Sequence, residues 1–113
     1  MTRSTWKGTE RAVARLVGGE RVPVSGRGRG DAPDVRHPLL ALEIKHRDRL
    51  PGWLVDAMAQ ADAAAEPGQV SCVVLHQHGQ RHADNVCLLR LADVVRLVDR
   101  DRGADGFEPR DPD

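Results

Sequence analysis

Residues 33–48 read PDVRHPLLALEIKHRD, and how this stretch folds decides the architecture. Within it Leu40, Leu42 and Ile44 alternate with Ala41, Glu43 and Lys45. A period of two belongs to a β-strand with one face against a core. A strand is therefore expected over Leu39–Lys45, with Glu43 and Lys45 together on the face opposite the leucines. Asp34-Val35-Arg36 opens a partner strand, and His37-Pro38 turns the chain between the two. Asp34 precedes Glu43 by nine residues across that turn, the offset at which hairpin partners lie side by side.

Working upstream, Trp6, Val13, Leu16 and Val17 recur at helical spacing, which predicts a helix over residues 4–17. Ser4 is its expected N-cap, and Gly18-Gly19 its stop. Glu10 falls inside the apolar stripe and is expected to face the core, while Arg11 and Arg15 share another face. Residues 21–25 (RVPVS) form a short β-type run that Pro23 confines to an edge. Residues 25–33 (SGRGRGDAP) are a glycine-rich basic loop.

Working downstream, Pro51 suits the first turn of a helix reaching about Glu66, with Leu54, Met58, Ala61 and Ala65 as its apolar stripe. Strands are expected over residues 70–75 and 85–90, joined by the polar turn 76–84, and a short helix over residues 91–98. From Asp99 the chain is acidic with little to bury, so a frayed tail is expected over residues 99–113 after a domain spanning 1–98. The order α-β-β-β-α-β-β-α predicts an α/β (α+β) fold, a mixed central sheet flanked by helices.

The chain has 113 residues, 40% of them hydrophobic and 30% charged, enough for one folded domain. Its only aromatic residues other than histidine are Trp6, Trp53 and Phe107, so the core rests on aliphatic side chains, thin for a monomer of this size. A homodimer is the expected remedy. No apolar run approaches the roughly 20 residues that span a bilayer, and no leader-like segment opens the chain, so a cytoplasmic protein is expected. The 17 basic and 17 acidic residues cancel, yet residues 1–60 hold eleven Lys/Arg against seven Asp/Glu, and residues 61–113 hold six against ten. A neutral total thus does not argue against an anionic partner. Cys72 and Cys87 sit in apolar runs without CxxC spacing and are expected to be buried free thiols. His76, His78 and His82 lie near them, but in a polar turn where such residues collect anyway, so a zinc site is not the expected reading.

Glu10, Asp34 and Glu43 are carboxylates where a purely structural chain would not put them, and Lys45 accompanies them. Burying unpaired charge costs several kcal/mol. A divalent cation with oxygen ligands is the simplest compensation, and carboxylates with waters suit Mg²⁺ or Mn²⁺.

Pro33-Asp34, eight intervening residues, and Glu43-Ile44-Lys45, with Glu10 on the first helix, resemble the signature of the PD-(D/E)XK nuclease superfamily. The resemblance covers residues 5–98 and implies that family's restriction-endonuclease-like αβββαβ core. Within the superfamily the chain is most similar to archaeal-type Holliday junction resolvases and to small phage or bacterial homologues. Residues 9–17 (TERAVARLV), the loop from Ser25 to Asp34, and residues 41–48 (ALEIKHRD) carry that closer match.

The resemblance implies DNA phosphodiester hydrolysis. Asp34 and Glu43 would hold one or two Mg²⁺ (or Mn²⁺) ions, with Glu10 joining directly or through water. The loop's second acid, Asp31, competes with Asp34 for that role. Lys45 would orient the attacking water or stabilise phosphate charge, and Gln60 would be a helix-borne group near the metal. Ser25, Arg27, Arg29, Lys7, Arg11, His46 and Arg47 would bind the DNA backbone, with Arg15 and Arg49 extending that surface. Such contacts give affinity and salt dependence without sequence reading. Branched DNA such as a four-way junction, cut by a homodimer, is the expected substrate. The alternatives are a nuclease for ends, flaps or duplex DNA, and a non-catalytic DNA-binding module on the same fold. A phage-encoded or nucleoid-associated protein is the corresponding expectation for location.

Overall fold

Thr5, not Ser4, begins the first helix. In the computed structural model, which describes residues 5–23 and 32–103 (side chains to Arg100), the Thr5 hydroxyl accepts the Gly8 N–H at 3.0 Å. Helix α1 runs Trp6–Val17 and ends in a Gly18 with φ of 72°. The Gly18 N–H donates to Arg15 O and the Gly19 N–H to Ala14 O, which satisfies the last carbonyls of the helix. The buried face is Glu10, Ala14 and Val17, spaced four and three apart. Trp6 and Leu16, expected in that stripe, are exposed.

The chain falls into two compact units, one ending at Asp48 and the other beginning at Arg49. The first holds α1, β1 (Glu20–Arg21), β2 (Val35–Arg36) and β3 (Ala41–Leu42), with the strands antiparallel in the order β1-β2-β3. Arg21, Val35 and Leu42 are cross-strand partners and so share one face of this sheet. Val35 is fully buried, and α1 packs on β1 and β2. The opposite face carries the cross-strand row Glu20, Arg36 and Ala41, all exposed.

The β3 ladder is shorter than the alternation predicts, although the burial pattern is the expected one. Leu40, Leu42 and Ile44 are half-buried, while Ala41, Glu43 and Lys45 are exposed. Extending the register places Ile44 opposite Pro33, which has no N–H to give. The Asp34 side chain bonds Ile44 instead, so regular backbone pairing stops at Leu42. Likewise Val22 adds one further bond to β2 (Val22 N–H to Asp34 O, 3.0 Å) before Pro23 ends β1.

The second unit comprises α2 (Gly52–Ala64), the antiparallel pair β4 (Val73–Leu75) and β5 (Val86–Leu88), a 3₁₀ turn at His82–Asp84, and α3 (Leu91–Gly103). The expected stripe of α2 holds, since Met58 is buried and Leu54, Ala61 and Ala65 are half-buried. Pro51 is its N-cap rather than its first helical residue. The β4 strand begins only at Val73, opposite Leu88, where β5 ends. Residues 99–103 continue that helix instead of starting a frayed tail, since Gly103 is the first helix-stopping residue after Leu91. Asp62 on α2 holds Arg90 in a two-bond fork at 2.7 and 2.8 Å.

The fold is thus α+β, with three helices and two small antiparallel sheets among the described residues. The single mixed sheet expected from the element order is not formed among them; each sheet closes within its own unit. No helix among the described residues is long and apolar enough to cross a membrane.

Candidate active site

Asp34 is the centre of the candidate site. It sits where β2 begins, and its backbone N–H donates to Leu42 O at 2.9 Å, one residue out of step with the Val35↔Leu42 register. That offset bends the chain at Asp34. Its carboxylate Oδ2 then accepts the Ile44 N–H at 2.7 Å, and the residue is only 4% exposed. The first acid of the motif is therefore held against the middle residue of Glu43-Ile44-Lys45, with Glu43 and Lys45 exposed on either side.

Glu10 approaches from α1. It is 4% exposed, as its place in the stripe predicts, and its Oε1 accepts Arg21 Nε of β1 at 2.9 Å. Arg21 is thus one cation that compensates this carboxylate, and the sequence reading did not single it out. The available signal was its place at the head of the short β-run after α1, within reach of a core-facing acid. Thr9, the residue before Glu10, was missed too. Its hydroxyl meets His46 Nδ1 at 2.7 Å, which ties the start of α1 to the segment following Lys45. The same hydroxyl lies 3.1 Å from Thr5 O, within its own helix.

Four of the five expected catalytic residues, Glu10, Asp34, Glu43 and Lys45, thus belong to the first unit. Gln60 is exposed on α2 of the second, off its apolar stripe. Lys7, Arg11, Arg15, His46 and Arg47 are exposed in the first unit, and Arg49 in the second. Lys7 Nζ lies 5.3 Å from the centre of the Trp6 ring. Ser25, Arg27, Arg29 and Asp31 lie outside the described residues.

The donor set suits a hard cation in a limited way. Among the described residues no three His, Cys, Asp or Glu side chains form a ligand cluster. Mg²⁺ characteristically keeps several waters and takes only one or two carboxylates, so by donor type Asp34 and Glu43 would be enough to hold it, whereas a site counting Glu10 as third ligand competes with the Arg21 pairing. A hollow of about 500 Å³ in the same unit is lined by Gly18, Gly19, Glu20, Arg36, His37 and Pro38, at the other end of β2 from Asp34. There His37 is buried and its Nδ1 accepts the Leu39 N–H at 3.0 Å, so its Nε2 carries the proton of the neutral ring.

In the second unit the expectation for the cysteines is overturned. Cys72 and Cys87 are both exposed free thiols. The strands there are short and two-sided, and only one face packs inward. His76 and His82 stack with ring centres 4.5 Å apart, and His76 Nδ1 bonds Asn85 Oδ1 at 2.7 Å. Asp93 is half-buried and paired with Arg96 at 3.2 Å.

Compared with known proteins, the chain matches no protein-family model, no curated protein and no solved structure.

Proposed function

We propose that this chain is a Mg²⁺-dependent DNA endonuclease built on the PD-(D/E)XK pattern, acting on branched DNA such as a four-way junction as a homodimer. The observation that carries this reading is the Asp34–Ile44 bond, which holds the motif's first acid against the backbone between its second acid and its lysine. On this reading Asp34 and Glu43 hold the cation, and the ion when bound supplies charge neutralisation on the scissile phosphate and activation of water. Lys45, one residue beyond Ile44, positions the nucleophile or steadies the charge that builds on the phosphate. Glu10 acts through Arg21 and the packing of α1 on the sheet; it is a positioning residue rather than a ligand. The His46–Thr9 contact fixes the segment after Lys45, from which Arg47 meets the phosphate backbone. Exposed Lys7 and Arg11 on α1, with the basic loop at 25–30, extend that contact.

A second reading is favoured by one observation. The Glu10–Arg21 ion pair neutralises a carboxylate that catalysis would otherwise use, as a non-catalytic DNA-binding module on this fold would have it. One experiment separates the two. The protein is incubated with Mg²⁺ and labelled four-way junction, flap and linear duplex of matched sequence, beside Asp34→Asn and Glu43→Gln. Cutting that both variants abolish, with DNA binding kept, supports the nuclease. Binding without cutting by the wild type supports the module, and cutting that survives both substitutions refutes the assignment of the acids.

A further inference from the structure

The two thiols of the second unit have no part in the proposed hydrolysis, and the hairpin brings them together. Cys87 stands opposite Val74 in the β4–β5 register, and Cys72 precedes Val74 by two residues. Residues two apart on an extended chain share a face with each other and with the directly opposite residue. Cys72 and Cys87 are therefore diagonal neighbours on one side of the hairpin. Both are exposed and free. Val73, Leu75 and Leu88 of the other face are half-buried. An oxidant thus reaches the thiols without opening the fold. Cys72 also lies just before the first ladder residue, Val73, outside the regular pairing that holds Cys87.

We propose that Cys72 and Cys87 form a reversible dithiol–disulfide pair, a redox modification site whose oxidant is a small-molecule disulfide such as oxidised glutathione. The Cys87 thiolate attacks one sulfur of that disulfide, forming a mixed disulfide and releasing one glutathione thiolate. Cys72 then loses its proton to water and attacks the Cys87 sulfur, forming the protein disulfide and expelling the second glutathione. Two protein thiols are oxidised and one glutathione disulfide is reduced to two thiols, so electrons and atoms balance. Loss of hydration first, then the neighbouring Cys87 thiol, raises the pKa of Cys72, so little of it is thiolate at neutral pH. Closure accordingly speeds up as pH rises.

The test treats the full-length native protein with oxidised glutathione, then measures titratable thiols, intact mass and migration on a non-reducing gel. Both thiols vanish together, the mass falls by two hydrogens, and a peptide linking residues 72 and 87 within one chain is recovered; dithiothreitol reverses all three. Cys72→Ser stops at the mixed disulfide on Cys87. Thiols that stay titratable in excess oxidant would overturn the proposal. So would a wild-type protein that accumulates two separate glutathione adducts, or that links only between chains.

Discussion

Asp34 uses one carboxylate for two purposes, and substitution can pull them apart. Its Oδ2 holds the Ile44 N–H, and on the proposed function the same group binds the cation. Asn at this position keeps an acceptor oxygen and loses the charge. Asp34→Asn should therefore unfold in urea near the wild-type midpoint, while nicking of supercoiled plasmid disappears. Asp34→Ala leaves a buried N–H without that partner and should lose about 1–3 kcal/mol as well. Arg21 is the other residue whose removal is diagnostic. Its bond to buried Glu10 is charge-assisted and its own side chain is only 19% exposed. Arg21→Met should lower stability by roughly 2 kcal/mol, the size of a hydrogen bond to a charged group, read from the urea midpoint. Adding Glu10→Gln to that variant should restore part of the loss, because no buried charge is then left behind.

At the scale of elements, the link between α1 and β1 is the least tolerant point. Gly18 supplies the left-handed turn, and Gly19 passes so close to β2 that a Cβ there would run into the Arg36 carbonyl oxygen and press on the Val17 and Val35 side chains. The obstructing atom is backbone and cannot swing aside, so Gly19→Ala should destabilise by at least about 2 kcal/mol, visible as a lowered thermal midpoint. The Asp62–Arg90 fork joins α2 to the chain between β5 and α3. Its hydrogen bond to Arg90 above all, with another to Ser71, holds the Asp62 carboxyl below the usual carboxylate range. A pKa depressed on folding contributes stability above the unfolded value and loses it as pH falls through the folded one. Urea midpoints should therefore fall as acid is added below about pH 4, and Asp62→Asn should flatten that part of the profile. Both side chains are more than two-fifths exposed, so the difference should be small and should shrink further in salt.

For the whole molecule, charge and core size carry the expectations. Residues 1–60 are net basic and residues 61–113 net acidic, so on the proposed function DNA is held by the first part of the chain. Affinity measured by fluorescence anisotropy should fall steeply between low and physiological salt. Replacing Arg27 and Arg29 together by Ala should reduce the slope of log affinity against log salt by about 2, one unit per phosphate contact. Among the described residues Val35 is the one fully buried large side chain, while Trp53, Leu50 and Val55 lie exposed in the second unit. This thin core is what the proposed homodimer would supplement, and sedimentation equilibrium reads the outcome directly.

Local pattern alone determined where the helices lie, that Glu10 faces inward, and that the even-numbered residues 40–44 face the core. Each follows from side-chain periodicity or from glycine and proline, which act within a few residues. Tertiary structure decided the rest: that Arg21 neutralises Glu10, that the Asp34 carboxylate rather than a backbone partner ends β3, that the strands close into two antiparallel sheets, and that the cysteines face outward. Those outcomes depend on which groups meet across long stretches of chain. Periodicity says which side of an element is apolar, and it is silent about what stands opposite.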